Sequence, residues 1–541
     1  MCPFRDSIRR PNGKDHGLHC QPDLLQPSRN GLSRVVDEEK NGPINGIIIA
    51  YLQIAMTKYD AILVGSGQAA NPLAKKLATA GWRTALIERQ WVAGTCINVG
   101  CTPTKTLIAS GRVAYLVKRA ADFGIRTTGF SVDVEAFLRR KNAVVLHYRE
   151  SVTKGLLSTP NLDLIFGTAS FSAPKEITVT LEDGSTDRLT AENIFLDTGA
   201  LPVIPPIPGL SEIPYLTSAT ILDLMEIPSH LVIIGGGYIA LEFGQLYRRL
   251  GSEVTIVEGN SRFLSKEDED IAAEIRRILE EDGIKIFTGT KTTSVTPGQT
   301  IRVDLESAGA ESAAPAIPVL PDHSAAASGI GRSPAAEKAP AFVTASHVLV
   351  ATGRRADTIG LNTAAAGIAL DPHGFISVND RLETNVPGIY ALGDVKGGPQ
   401  FTHISYNDHL IVYKNLIEKA NVSIAGRVLI YCLFTDPELG RIGLTEKEAR
   451  DKGLNIKVVT MPATSIARAT ENSETRGMIK AIVNADDRKI LGAAVLTAGG
   501  GELMSVIQMA MMGGLTADTL RDAVFAHPTF AEALNNLFAK L

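Results

Sequence analysis

Apolar residues along the chain gather in short runs bounded by glycine-rich turns, and the arrangement recurs. Asp60-Ala-Ile-Leu-Val64 is a compact apolar run that reads as a buried strand. Gly65-Ser66-Gly67-Gln68-Ala69-Ala70 follows, then an alanine- and leucine-rich helical stretch through Ala80, then a second strand, Thr84-Ala-Leu-Ile-Glu88. The same order returns at Leu231–Ala240, again a strand, a glycine turn and a helix, with a second strand over Glu253–Glu258. Strands that alternate with helices predict parallel sheets and an α/β fold. Two more buried strands, Ile194–Gly199 and Val348–Gly353, end in Thr-Gly and suit crossings between domains. A third, Gly388–Asp394, ends in a carboxylate. From about Gly426 the pattern becomes an α+β module. Its strands are predicted at Val428–Phe434, Ile456–Met461, Met478–Asn484 and Ile490–Leu496, and its helices at Gly501–Met512 and Thr516–Val524.

The glycine turns carry chemistry. Gly65 makes the tight turn, Gly67 lets backbone approach a pyrophosphate, and Ala70 permits close helix–strand packing. The helix N-terminus holds the phosphates. Glu88, about 20 residues on, accepts hydrogen bonds from a ribose. Gly235, Gly237, Ala240 and Glu258 repeat the pattern, so two Rossmann-like dinucleotide-binding domains are predicted. A carboxylate at Glu258 repels a 2′-phosphate and favours NADH over NADPH, with Arg262 nearby as a counterweight.

Between the two units lies Gly94-Thr-Cys96-Ile-Asn98-Val-Gly100-Cys101-Thr102-Pro103-Thr-Lys105. In a regular helix, residues five apart point to different sides, too distant for a disulfide's Cα separation of about 4.4–6.8 Å. A closed pair therefore requires irregular backbone, which Asn98 and Gly100 permit. Thr102 reads as an N-cap and Pro103 as the first helical residue. Cys101 then faces a helix N-terminus and the Lys105 cation, both of which stabilise a thiolate. Two unrelated buried cysteines are the plainer alternative.

Composition narrows the classes. With 45% hydrophobic and 21% charged residues the chain is ordinary for a globular protein. A net charge of −4 gives no reason to expect nucleic acid or an anionic membrane as partner. Five cysteines are too few for a disulfide-stapled secreted fold, and a lone close pair suits redox work in the reducing cytoplasm. Residues 1–55 are polar and aperiodic, and are expected to be a disordered extension or a start-site artefact ahead of Met56. Residues 307–341 are rich in Ala, Pro, Ser and Gly and read as an inserted surface loop. The methionines 504, 509, 511 and 512 read as core or subunit interface, and Cys432 as inert core.

Six stretches, GSGQAA, GTCINVGCTPTK, GGGYIALE, ATGRR, ALGD and the late His527-Pro-Thr-Phe-Ala-Glu532, occur in the order found in class I pyridine nucleotide–disulfide oxidoreductases. The chain resembles that family from about Tyr59 onward, and GTCINVGCTPTK with Pro399-Gln-Phe-Thr-His403 is most similar to mercuric reductase and its relatives. The resemblance implies an FAD-binding domain in two parts (56–200 and 351–425), an NAD(P)-binding domain (201–350) and a dimerisation domain (426–541). It implies FAD contacts at Gly65, Gly67, Ala70, Glu88, Thr95, Lys105, Thr198, Gly199, Gly393 and Asp394. NAD(P)H contacts are implied at Gly235, Gly237, Tyr238, Ile239, Glu242, Glu258 and Gly353.

By the same resemblance, NAD(P)H reduces FAD, and the flavin reduces a Cys96–Cys101 disulfide. Cys101 is the thiol beside the flavin and Cys96 the one that attacks substrate. Glu242 orients Lys105 near the flavin, Tyr238 covers the nicotinamide pocket, and His527 with Glu532 acts as acid–base from the other subunit of a homodimer. No resident metal site is predicted. The C-terminus lacks the cysteine pair that mercuric reductases carry, which leaves two substrates in view: a soft metal ion such as Hg(II) or Cu(II), or a small disulfide including lipoamide. A flavin redox sensor with little turnover is the reading from outside enzymology.

Overall fold

The computed structural model describes residues 56–307 and 339–541. The extension expected at 1–55, and nearly all of the insertion expected at 307–341, lie outside the described residues. The insertion belongs between two antiparallel neighbours, Ile301–Ser307 and Phe342–Ala345, so it joins strands of one small sheet.

Thr57–Val64 is the centre of the first sheet. It pairs in parallel with Thr84–Glu88 on one side and with Thr186–Leu196 on the other. Leu162–Phe166 extends the sheet beyond Thr84–Glu88, and two antiparallel strands, Glu176–Thr180 and Thr168–Ala173, extend the other end. The last strand to join is Ile389–Ala391, which lies parallel to the far half of Thr186–Leu196. Ala61, Ile62, Leu63 and Val64 are all buried, as expected for a strand covered on both faces.

The second sheet is parallel, in the order Ile284–Phe287, Glu253–Val257, His230–Ile234, His347–Val350. Beside it lies a three-stranded antiparallel sheet of Thr290–Thr296, Ile301–Ser307 and Phe342–Ala345. The chain passes from the first sheet to the second and back through a two-stranded ribbon, in which Ala200–Pro202 pairs with Arg354–Ala356.

Two helices set the site. Cys101–Lys118 and Tyr238–Leu250 cross closely at Gly111, where an added Cβ would stand 2.7 Å from Leu246 Cδ1. Leu107, Leu241, Phe243 and Leu246 are buried along this contact. Each such side chain contributes about 1.5–3 kcal/mol of hydrophobic stabilisation. The crossing brings Lys105 and Glu242 face to face.

The C-terminal module is a five-stranded antiparallel sheet in the order Ile430–Leu433, Glu438–Gly443, Ile490–Thr497, Met478–Asn484, Ile456–Pro462. It corrects the sequence reading in three places. The first strand is shorter than Val428–Phe434. Glu438–Gly443, a strand with two glycines and a buried arginine, has no apolar alternation and escapes notice. The second helix is Ala517–Asp522, capped by the Thr516 side chain, and a further helix spans Ala533–Phe538. Met504 is core, whereas Met509 and Met512 are exposed.

Candidate active site

One cavity of about 1830 Å³ runs from the first glycine turn, past the cysteine pair, to the second glycine turn. That exceeds the roughly 300–1,000 Å³ of common small-molecule sites and leaves room for extended ligands.

At the first turn Gly65 has φ +90°, and a Cβ there would lie 2.4 Å from the Asp197 carbonyl oxygen. A side chain is excluded by both the backbone conformation and the contact. The Asp197 carboxylate accepts hydrogen bonds from the backbone N–H groups of Ala69 (3.2 Å) and Ala70 (2.8 Å) at the helix start. Burial, with Asp394 and Asp408 nearby, pushes Asp197 up to about 8. Glu88 ends the second strand and binds the turn: Ser66 N donates to it at 3.0 Å and Ser66 Oγ at 2.6 Å. Thr198 Oγ1 is buried without a hydrogen-bond partner, a free polar atom beside the turn. A glycine cradle, a helix N-terminus, an acid at the strand end and an unpartnered hydroxyl together fit a dinucleotide such as FAD.

The cysteine stretch forms two helices, Gly94–Val99 and Cys101–Lys118, broken at Gly100. A Cβ on Gly100 would sit 2.8 Å from Thr95 O and 3.2 Å from Cys96 Cα, so the break depends on glycine. Asn98 ties the first helix down, donating to Val92 O and Gly94 O and accepting from Arg149 Nε at 2.6 Å. The expected Thr102 cap is not formed. Cys101 itself is the first helical residue, because the break at Gly100 already redirects the chain. This moves Cys101 further into the field of the helix N-terminus than the sequence reading placed it.

Cys96 and Cys101 stand as two free thiols in mutual hydrogen-bond contact. Thr402 Oγ1 lies 3.3 Å from Cys101 Sγ. Cys101 is held down to about 6 by the Cys96 hydrogen bond, opposed by burial and aided by Thr402 and Lys105. Cys96 is pushed up by its partner and by burial. The pair therefore holds one thiolate, on Cys101.

Lys105 Nζ donates to Glu242 Oε2 at 2.7 Å and sits 4.8 Å above the Phe434 ring. Glu242 is buried and also accepts from Phe434 N at 3.0 Å. Cys432 lines the same cavity and so is not core as expected, although its thiol is held in the unreactive protonated form. It belongs to the edge strand facing the cavity, and burial with Glu438 and Glu242 nearby raises its thiol well above the ordinary range.

The second glycine turn copies the first. Gly235 has φ +106°, with Ala351 O in the place that Asp197 O holds at Gly65. Glu258 accepts from Gly236 N at 2.6 Å and from Asn260 N at 2.7 Å. Tyr238 starts the following helix, and its hydroxyl donates to Glu267.

Of the residues the sequence singled out, the structure gathers Gly65, Gly67, Glu88, Thr95, Cys96, Cys101, Lys105, Thr198, Gly199 and Asp394 along the cavity. Gly235, Gly237, Tyr238, Ile239, Glu242, Glu258 and Gly353 join them there. Ala70 and Gly393 lie behind the wall, where their N–H groups donate to Asp197 and Asp408. His527 and Glu532 are paired, Nδ1 to Oε2 at 2.9 Å, but His527 is 68% exposed and neither residue lines this chain's cavity. The sequence reading missed Asp197, Thr402, Glu267, Tyr431 and Arg441. Asp197 directly precedes the Thr-Gly that drew attention to its strand, and Thr402 stands inside the quoted Pro399–His403 stretch; the other three carry no local signal. Among the described residues, no group of three or more His, Cys, Asp or Glu is placed to hold a metal ion. No helix among them is long and apolar enough to cross a membrane.

Two dinucleotide cradles joined by a dithiol define a class of protein: an oxidoreductase that moves electrons between a nicotinamide cofactor, a flavin and a cysteine pair. Comparison with known proteins agrees. Residues 59–408 match the pyridine nucleotide-disulphide oxidoreductase model, and residues 430–538 match the dimerisation domain of the same family. The chain is 38% identical to the probable pyridine nucleotide-disulfide oxidoreductase RclA of Escherichia coli (strain K12), over 90% of this chain and 99% of that one. It is 33% identical to the mercuric reductase of Staphylococcus aureus, over 88% of this chain and 81% of that one. A solved structure, the Cu(II) complex of HOCl-induced flavoprotein disulfide reductase RclA from Escherichia coli, aligns with TM-score 0.77 and 36% identity over 90% of this chain and all of that one.

The chain belongs to the pyridine nucleotide-disulfide oxidoreductase family. It is an FAD-dependent enzyme that uses NAD(P)H, and it carries the family's dimerisation domain.

Proposed function

We propose that this enzyme takes electrons from NADH, by way of FAD, onto Cys96 and Cys101 and delivers them to a soft metal ion, Cu(II) or Hg(II). The observation that carries the reading is the Cys96–Cys101 dithiol with its single stabilised thiolate, open to the cavity that joins both cradles. The Cu(II) complex of its relative supports a metal substrate, and thiolate sulfur prefers soft ions.

In this reading FAD is held by Gly65, Gly67, Glu88, Thr198 and Asp394 and, when bound, converts a hydride from the nicotinamide into an electron pair for the cysteines. The chain's own groups do the rest. The Lys105 cation, oriented by Glu242, stabilises negative charge beside Cys101. The two sulfurs bind the metal ion and give up two electrons as they join in a disulfide, and the one proton still on Cys96 is released. Two Cu(II) become two Cu(I), or one Hg(II) becomes Hg(0). Glu258, with its carboxylate at the second turn, favours NADH. The cytoplasm supplies that donor and keeps thiols reduced.

One observation favours a second substrate class. His527, fixed by Glu532, is a ready acid for a departing thiolate. With a small disulfide, Cys96 passes its proton to His527 and attacks one sulfur, and the first product leaves as a thiol with that proton; the Cys101 thiolate then attacks Cys96 and the second product leaves as a thiolate. Because His527 and Glu532 lie outside this chain's own cavity, this route makes the homodimer the working unit.

The test is anaerobic consumption of NADH and of NADPH by wild type and by Cys96→Ser, with Cu(II), Hg(II), lipoamide and glutathione disulfide offered in turn. Turnover with a metal ion that vanishes in the variant supports the metal reading. Turnover with one disulfide alone replaces it with the second. No turnover with any acceptor refutes both and revives the redox-sensor reading.

A further inference from the structure

Between the second glycine turn and the cysteine pair, three chain segments meet around one buried carboxylate. Glu267 is 1% exposed and follows the second strand of the second unit. Its Oε1 accepts from two phenols at once, Tyr238 at the start of its helix and Tyr431 on the edge strand of the C-terminal sheet, the latter at 2.6 Å. Arg441 Nε stands 4.0 Å from Oε2, and Arg262 donates to the Glu267 backbone carbonyl at 2.7 Å. The two phenol rings are 5.5 Å apart. Tyr431 then stacks on Phe401 (5.2 Å, 9°), and Phe401 on His403 (5.5 Å, 12°). His403 Nε2 donates to Ile430 O at 2.6 Å, which fixes that stack to the edge strand.

The two phenols differ in what holds them. Tyr431 is buried and locked by stacking on a second segment. Tyr238 is half-buried and faces the cavity at the first residue of its helix. Tyr431 also lines the cavity, but it is the more deeply buried ring and is clamped between Tyr238 and Phe401, so Tyr238 is the ring placed to move. When Tyr238 leaves, the carboxylate still keeps Tyr431 and the Arg441 charge.

We propose that Glu267 and Tyr431 form a latch that controls nicotinamide access: Glu267 holds Tyr238 closed, and Tyr431 keeps the carboxylate satisfied while Tyr238 is open. The inference rests on the functional reading above, in which Tyr238 covers the nicotinamide pocket. A closed resting state lowers the apparent affinity for NADH by the fraction of time the pocket is shut. The latch therefore makes two predictions of opposite sign. Removing the Tyr238 hydroxyl unlatches the ring and tightens NADH binding. Removing the Tyr431 hydroxyl makes opening strand a buried carboxylate, which weakens NADH binding. A role in packing alone moves both variants the same way.

The experiment measures the NADH concentration that half-saturates flavin reduction, by anaerobic stopped flow on the holoenzyme, in Tyr238→Phe, Tyr431→Phe and the double variant. The expected result is a fall of about threefold to tenfold in Tyr238→Phe and a rise of similar size in Tyr431→Phe. The double variant returns to the Tyr238→Phe value, because without the Tyr238 bond there is nothing left for Tyr431 to assist. Glu267→Gln, which replaces a charged acceptor with a weaker neutral one, follows Tyr238→Phe. Shifts of the same sign in the two single variants, or none in Tyr431→Phe, overturn the latch. Tyr238→Ala separates the latch from the reading beneath it. If NADH binding and oxygen reactivity of the reduced enzyme are both unchanged in Tyr238→Ala, then Tyr238 does not cover the nicotinamide at all, and the latch falls with that assignment.

Discussion

Thr402→Val isolates one hydrogen bond at the reactive thiolate. Thr402 Oγ1 is 3.3 Å from Cys101 Sγ, and Cys101 ionises at about 6. At pH 7 the thiolate then outnumbers the thiol by about ten to one. Valine keeps the shape of threonine and loses the donor. A hydrogen bond to a charged acceptor is worth about 1.5–3 kcal/mol, and one pKa unit is about 1.4 kcal/mol. Sulfur accepts weakly at this length, so the low end applies and the midpoint rises by about one unit. The sign follows from the lowered value: the thiolate is present above the midpoint and lost by protonation below it. Raising the midpoint to near 7 leaves half the thiolate at neutral pH. The assay is the pH dependence of iodoacetamide alkylation of the reduced holoenzyme, with mass spectrometry assigning the label to Cys101. Thr402→Ser keeps the hydroxyl and should match wild type. A wild-type midpoint at an ordinary thiol value, or an unmoved midpoint in Thr402→Val, refutes the reasoning.

Three further outcomes are expected. Gly100→Ala forces a Cβ to 2.8 Å from Thr95 O and displaces Cys96 from Cys101, so acceptor turnover drops by about a hundredfold and the thermal midpoint falls with it; turnover kinetics with scanning calorimetry checks it. Glu258→Ala removes the carboxylate facing the second turn, so the NADPH-to-NADH ratio of kcat/KM rises about tenfold in steady-state assays. Asp197, pushed up to about 8 from a carboxylate's ordinary range, binds its proton more tightly folded than unfolded, so it stabilises the fold at acid pH and that contribution is lost as pH rises toward 8. Asp197→Asn removes this loss, and urea unfolding of the apoprotein should show a flatter stability profile between pH 4 and 8.

The glycine turns, the cysteine pair and the acids at strand ends were legible because each is a local pattern. Spacing within a dozen residues sets the turn, the helix start and the strand behind it. The pairing of Lys105 with Glu242 was reachable only through family resemblance, since nothing in either helix announces their crossing at Gly111. Thr102 misled because a threonine before proline is a strong cap signal, yet Gly100 broke the chain two residues earlier. Glu267, Tyr431 and Arg441 were invisible for a different reason. Glu267 lies more than 150 residues before Tyr431 and Arg441, and a buried arginine in a short strand violates the very alternation by which strands are found. Cys432 was misplaced in the core because an apolar strand does not reveal that it is an edge strand facing a cavity.

The ribbon of Ala200–Pro202 with Arg354–Ala356 has a consequence for engineering. Pro202 and Arg354 are direct register partners, and Val203 N donates to Gly353 O at 3.0 Å. The polypeptide therefore leaves and returns at a single point, and residues 203–353 form a nested cassette with adjacent ends. Antiparallel neighbours of this kind can be joined by a two-residue hairpin. Lifting the cassette out and closing the gap leaves every strand of the seven-stranded sheet with its own neighbours. A different electron-donor module can in principle be grafted at the same point without touching Cys96 or Cys101. The contacts that travel with the cassette set the condition of the graft: any replacement must offer carboxylates to Lys105 and to Tyr431 and Arg441, as Glu242 and Glu267 do, and pack against the helix at Gly111.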